Sequence, residues 1–330
     1  MSERASLIVV RITAAIACAF GFVMIARSYA VAVRVFPGAT VLALVLELPL
    51  VLAGFWLLRL LRPVRAPACR WSAAAVAWGM AAATGCALLA NQALQGIWAK
   101  TAGIGFASRW GAALTAPLDE EVLKLCGVAM IALAVPLAIR GPVDGLIFGG
   151  LVGLGFQVAE NFTYSVNAVP QFAATNPPAA AFLSAADRIS LTGLGSHWAM
   201  TAVAGAGIGF LAARGRRGGW PAAGLLLTAM AMHWWFDSPL LGPPVPALVS
   251  DVSKAAVNFA VFLTVYLILR RRYLASARSV LAADATAGTI SEDEAGSLLS
   301  RRGRRRNARN AIPPVSSTHV PGSGVALGSV

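Results

Sequence analysis

The sequence predicts an all-α fold, a polytopic transmembrane helical bundle of about eight spans with a disordered C-terminal tail. Three observations predict it. Of 330 residues, 58% are hydrophobic and only 12% charged, whereas soluble domains average about 45–50% and about 25%. Mean hydropathy is +0.70. The apolar residues fall into runs close to the roughly 20 that a helix needs to cross a bilayer, and the 27 Lys and Arg residues gather between those runs and beyond position 269. An ordinary globular enzyme is excluded, and so is disorder over most of the chain. Cys18, Cys69, Cys86 and Cys126 form no CxxC or metal spacing, so disulfides and thiolate metal sites are not expected.

The spans follow in order. The first, 5–26, carries Arg11, lacks a small-residue cleavage site and leads straight into a second span, which argues against a cleaved signal peptide. Next come 39–61 and 71–93. The stretch 94–116 is too weak for a span and reads as a short amphipathic or re-entrant piece. Span four, 117–139, opens on Pro117, and span five, 143–164, carries Gly145, Gly149 and Gly153 at a spacing that lets helices pack closely. Spans six to eight are 188–213, 219–240 and 247–269. A membrane-embedded domain therefore occupies 1–272. Residues 273–330, rich in Ala, Ser, Gly, Pro and Arg, are expected to form a disordered basic tail. That tail, with Arg301 to Arg309, Pro313-Pro314 and His319, would be drawn to anionic lipid by about 1 kcal/mol per basic residue. No aromatic residues interleave its charges, so no nucleic-acid partner is expected.

Positive charge in short loops sets orientation. With a cytoplasmic N-terminus, 19 basic residues fall inside and 5 outside, leaving Arg11, Lys124 and Arg188 within the membrane. Both termini are then cytoplasmic. The Ala, Gly and Arg richness suits a GC-rich bacterial genome, and so a multi-pass protein of a bacterial-type inner (plasma) membrane.

Charged side chains inside a span cost at least about 2.5–3.5 kcal/mol, which makes each a functional candidate. Four clusters stand out: Asp119-Glu120-Glu121 with Lys124, Glu160-Asn161, His197 with Thr201, and His233 with Asp237. Lys124 lies one helical turn from both Glu120 and Glu121, and His233 and Asp237 are likewise i,i+4. In the predicted topology all four clusters fall in the outer half of the membrane, with His197 about 13 Å deep at 1.5 Å per residue. Two histidines, several carboxylates and a balancing lysine suit the activation of water. In one version His197, His233 and a carboxylate, Glu160 or Asp237, bind Zn²⁺, Glu120 or Glu121 accepts the proton, and Lys124, Asn161 and Asp237 support the site. In a metal-free version a glutamate and His197 activate water directly, and Asn161 and His233 hold the oxyanion.

The order Pro-x-x-Glu-Glu-x-x-Lys (Pro117 to Lys124), Asp144-Gly145 through Glu160-Asn161, His197 to Thr201 and His233 to Asp237 resembles the PrsW family of intramembrane proteases. That family sits within the CAAX-processing and bacteriocin-processing membrane proteases. The resemblance covers roughly 105–240. It implies an endopeptidase acting on a single-span membrane protein, similar to an anti-sigma factor, cut on the outer side of the membrane. Two other classes use the same residues: a proton-coupled transporter with an intramembrane carboxylate relay, and an inactive membrane scaffold. Glu47 either joins the site or pairs with Arg11 or Arg188. Arg188 is expected to snorkel to the interface, and Trp198, Trp234 and Trp235 to pack or to line a substrate groove.

Overall fold

A computed structural model describes residues 3–64, 66–299, 303 and 306. The chain divides into two compact units, Met1–Tyr273 and Leu274–Val330. The described residues of the first are helical apart from short connections. Helix α1 (Glu3–Val35) and α2 (Pro37–Leu60) are followed by α3 (Cys69–Ala77), a π-helical turn (Trp78–Ala83) and α4 (Thr84–Thr101), which together make one rod. Then come α5 (Ile104–Ala134), α6 (Pro142–Gln171), α7 (Pro177–Ser190), α8 (His197–Arg214), α9 (Gly219–Asp237) and α10 (Ala247–Thr286), with a short α11 (Glu292–Leu298) beyond.

Among the described residues, five helical segments are long and apolar enough to cross a membrane: Arg4–Val35, Pro37–Leu60, Cys69–Thr101, Pro142–Gln171 and Ala247–Thr286. Three further spans expected from the sequence correspond to α5, α8 and α9. Helix α5 carries Arg109, Asp119, Glu120, Glu121 and Lys124, while α8 and α9 are only 18 and 19 residues long. Polar load and shortness set them apart from the other five.

Three boundaries differ from the sequence reading. No separate re-entrant piece fills 94–116, because α4 runs to Thr101 and α5 starts at Ile104. The joint is Gly103 at φ 92°, a conformation costly for any residue with a Cβ. Pro117 consequently lies inside α5 rather than at its start. The expected span 188–213 is broken: α7 stops at Ser190, a 3₁₀ turn occupies Gly193–Gly195, and α8 begins at His197. Two glycines within five residues disfavour a continuous helix. At the chain's far end, helix continues to Thr286, past Arg270-Arg271-Arg272, through an Ala- and Leu-rich stretch of good helix formers. Helix α11 also falls within the expected tail, while Arg301, Arg309, Pro313-Pro314 and His319 lie outside the described residues.

Helix α6 is the axis of the bundle, buried along nearly its whole length. Glycine brings its backbone against its neighbours. A Cβ on Gly149 would stand 2.2 Å from the Thr201 carbonyl oxygen, and one on Gly153 would stand 2.5 Å from that of His197. On another side, a Cβ on Gly155 would stand 2.0 Å from the carbonyl of Val76. Helix α6 thus lies in near backbone contact with α8 and α3, which draws Glu160 toward His197. Leu146, Ile147, Leu151, Met200, Val203 and Phe262 fill the core around it.

Candidate active site

The site begins on α5, where one turn presents Glu120, Glu121 and Lys124, all buried. An ammonium in such a place must be compensated. Lys124 Nζ donates to Glu121 Oε1 at 2.8 Å and to His197 Nδ1 at 2.9 Å. It also ion-pairs with Glu120 Oε2 at 3.3 Å and lies 4.0 Å from the Phe156 ring centroid. Glu121 is fully engaged, because Thr201 Oγ donates to its Oε2 at 3.1 Å and His233 Nδ1 meets its Oε1 at 3.1 Å.

The two imidazoles lie 5.0 Å apart, edge to face. Each hands one nitrogen to a carboxylate. His197 Nε2 bonds Glu160 Oε2 at 2.6 Å, and His233 Nδ1 bonds Glu121 as above. The opposite nitrogens turn to a common point: His197 Nδ1 is 3.9 Å and His233 Nε2 is 3.7 Å from Glu120 Oε2. Ammonium can only donate, so His197 Nδ1 accepts from Lys124 and its Nε2 carries the proton given to Glu160.

Glu120 is aimed by a residue that sequence reasoning missed. Asn91 of α4 donates Nδ2 to Glu120 Oε1 at 2.9 Å, and Asp119 Oδ1 accepts the Glu120 backbone N–H at 2.8 Å. Glu120 Oε2 is left without a hydrogen bond in a buried position, with the Lys124 ion pair and the two imidazole nitrogens around it. Glu120, His197 and His233 place ligand atoms within 4.8 Å of one another. One carboxylate and two imidazoles suit a catalytic divalent metal. The carboxylates behind the imidazoles, Glu121 and Glu160, are the partners that orient metal-ligating histidines. Glu120, His197 and His233 therefore fit a metal, and Glu160, a carboxylate ligand expected from the sequence, is not in this group. Glu160 is occupied instead by His197 and Arg188.

A second network borders the first. Arg188 pairs with Glu160, donates Nε to Asn161 Oδ1 at 2.8 Å and stacks 3.9 Å from the Tyr164 ring centroid. Asn161 Nδ2 in turn donates to Glu47 Oε2 at 3.2 Å. Arg188 is thus a half-buried anchor of the site, held by these partners. Glu47 joins it through Asn161. Arg11 is elsewhere, bonded to the Ala134 carbonyl. Asn161 is thus bonded through both its amide oxygen and its amide nitrogen. Asp144, part of the sequence pattern, is also remote from the site: it pairs with Arg62 at 2.5 Å and accepts the Arg140 N–H at 3.0 Å.

Helix α10 supplies a brace. Buried Asn258 donates to the carbonyls of Gly195 and Met232 at 3.1 and 3.2 Å. It ties together the two segments that lead into His197 and His233. Asp237, one turn beyond His233, lies 3.4 Å from its Nε2, and its side chain is 23% exposed against 3% or less for Glu120 and Glu121. Trp234 stacks on Trp110, and Trp198 donates its indole N–H to Gly193 and packs on Phe262.

No curated protein and no solved structure matches the chain. Residues 67–269, more than half of the sequence, match the model of a family described as PrsW family intramembrane metalloprotease. The matched segment contains Asn91, the Glu120–Lys124 turn, Glu160, both buried histidines and Asn258. The chain belongs to this family, and it is a membrane-embedded peptidase.

Proposed function

We propose that this peptidase cuts a single-span membrane protein, similar to an anti-sigma factor, near the outer side of a bacterial inner membrane, using Zn²⁺ held by Glu120, His197 and His233. The observation that carries the reading is the buried, unbonded Oε2 of Glu120 facing the inner nitrogens of both imidazoles. A zinc ion there supplies a Lewis acid for the scissile carbonyl and makes water more acidic.

The chain's own residues do the remaining work. Glu121 and Glu160 hold the imidazoles in the tautomers that leave His233 Nε2 and His197 Nδ1 directed at Glu120. Lys124 balances the two glutamates, and a metal on His197 Nδ1 would take the place of its ammonium there, leaving its bond to Glu121. Glu121 is fully buried and already bonded to Lys124, His233 and Thr201, and Glu120 is assigned to the metal, so the proton acceptor is assigned to Asp237, the more open carboxylate beside His233. Its neutral form then returns the proton to the leaving amine.

Sidedness rests on charge. Arg59, Arg62, Arg70 and Arg140 lie at the end where α6 starts, and Glu160 lies 16 residues along α6 from Asp144, about 24 Å at the helical rise. With the arginine-rich end cytoplasmic, both termini are inside and the site faces the outer leaflet.

A cleavage assay in liposomes with a model single-span substrate tests the reading. Glu120→Ala and His233→Ala should each abolish cleavage while thermal unfolding stays cooperative. A strong chelator should stop the wild type, and Zn²⁺ should restore it. Chelator-resistant cleavage would exclude the metal role, and cleavage surviving both substitutions would remove the site assignment.

A further inference from the structure

Away from the catalytic layer, α1, α3 and α5 enclose a cavity of about 340 Å³. Small residues make it: Ala14 and Ala15 of α1, Ala74 and Ala77 of α3, Gly127 and Ala134 of α5. Apolar walls this far apart forgo the contacts that close packing would give, unless a chain fills the space. In a bilayer the material at hand is lipid.

The lip of the cavity is cationic. Arg11 donates Nε and Nη2 to the carbonyl of Ala134, the last residue of α5, at 3.2 and 2.9 Å. Its guanidinium lies 5.6 Å from the Trp71 ring centroid, and that of Arg70 lies 5.0 Å from the same ring. Both arginines are exposed. Among the described residues, neither forms an ion pair with a carboxylate. The indole marks the depth: α3 has just begun, at Cys69, and α5 is ending, which is the headgroup level where tryptophan collects. Two guanidiniums that pair with no carboxylate among the described residues favour a ligand with net negative charge over a zwitterionic one. The walls ask for a hydrocarbon chain.

We propose that the α1–α3–α5 groove binds one anionic phospholipid, with an acyl chain in the cavity and its phosphate against Arg11 and Arg70. The site lies next to the catalytic scaffold. Trp78, in the cavity wall, opens the π turn, donates its indole N–H to Leu123 at 3.0 Å and packs so tightly on Gly127 that a Cβ there would stand 2.2 Å from its ring. Lys124 follows directly in sequence. This inference does not rest on the proposed reaction, since it concerns binding alone.

Native mass spectrometry of the full chain tests it, using phosphatidylglycerol and phosphatidylcholine of identical acyl chains. The wild type should retain one phosphatidylglycerol about tenfold or more in preference to phosphatidylcholine, as two charge-assisted contacts would give. The Arg11→Gln/Arg70→Gln double variant should lose the preference, and Arg11→Lys/Arg70→Lys should recover part of it. Ala74→Phe, which leaves both cations and fills the cavity, should lose retention of either lipid. Ala15→Leu makes the same test from the facing helix should Ala74→Phe not fold. Equal retention of the two lipids by the wild type overturns the proposal, as does a preference that survives loss of both arginines. Retention unaffected by filling the cavity removes the acyl-chain site. Cross-linking of a single-span peptide to Cys18, with exclusion of lipid, would assign the groove to a protein helix instead.

Discussion

At the scale of residues, the site is set by which groups are used up and which are not. Glu120 and Glu121 are adjacent and equally buried, yet Glu121 is bound to Lys124, Thr201 and His233, while Glu120 keeps one oxygen unbonded. Asn91 enforces that difference by holding the other oxygen of Glu120. Asn91→Ala should therefore weaken metal retention about 10–100-fold, the usual effect of losing a group that orients a ligand, with the fold intact. Metal content after dialysis against graded chelator measures this, and unchanged retention would make Asn91 a packing residue. Glu120, Glu121, Lys124, Glu160, His197, His233 and Asp237 were all legible in the sequence because charge inside an apolar run is costly and so conspicuous. Their division of labour was not, since it depends on neighbours from α4, α7 and α8 that spacing along one helix does not reveal. Asn91 was visible in the same way, as an amide within the apolar rod, but it lies near the weak stretch at 94–116 and carries no charge.

At the scale of elements, the decisive features are a break and a contact. The break at 191–196 puts His197 at the head of α8, opposite Glu160, where a continuous span would have carried it nine residues into the membrane. Hydropathy hid this break, since Leu191, Gly193, Leu194 and Gly195 are apolar enough to pass for span. The contact is the glycine seam between α6 and α8. Four-residue glycine spacing foretold it, and the structure sets Gly149 against the carbonyl of Thr201, whose hydroxyl serves Glu121. Gly149→Leu should lower stability by about 3 kcal/mol or more, through overpacking that no flexible neighbour can absorb. It should also lower cleavage, because Thr201 and His197 move with α8. Thermal unfolding in detergent measures the first effect, and a variant as stable as the wild type would contradict so close an approach of the two backbones.

At the scale of the whole molecule, apolar runs and basic loops specified a helical membrane bundle, and the described residues bear this out. The number of crossings was less legible, because α5, α8 and α9 carry the polar groups and small residues that the site needs, and these lower hydropathy. The proposed sidedness rests on the arginines at one end of the bundle. In intact cells and a cysteine-free background, Thr175→Cys in the α6–α7 connection should react with an impermeant thiol reagent. Arg216→Cys in the α8–α9 connection should react only after lysis. The reverse pattern would place the site toward the cytoplasm.

The most direct measurement is the zinc content of purified protein, wild type against Glu120→Ala and Glu160→Gln, with cleavage followed in parallel. A metal held by Glu120, His197 and His233 predicts about one zinc per wild-type chain and almost none in Glu120→Ala. Glu160→Gln should keep its metal, less tightly bound, because its part is to orient His197. Zinc retained in Glu120→Ala but lost in Glu160→Gln would contradict this ligand set and return Glu160 to the metal.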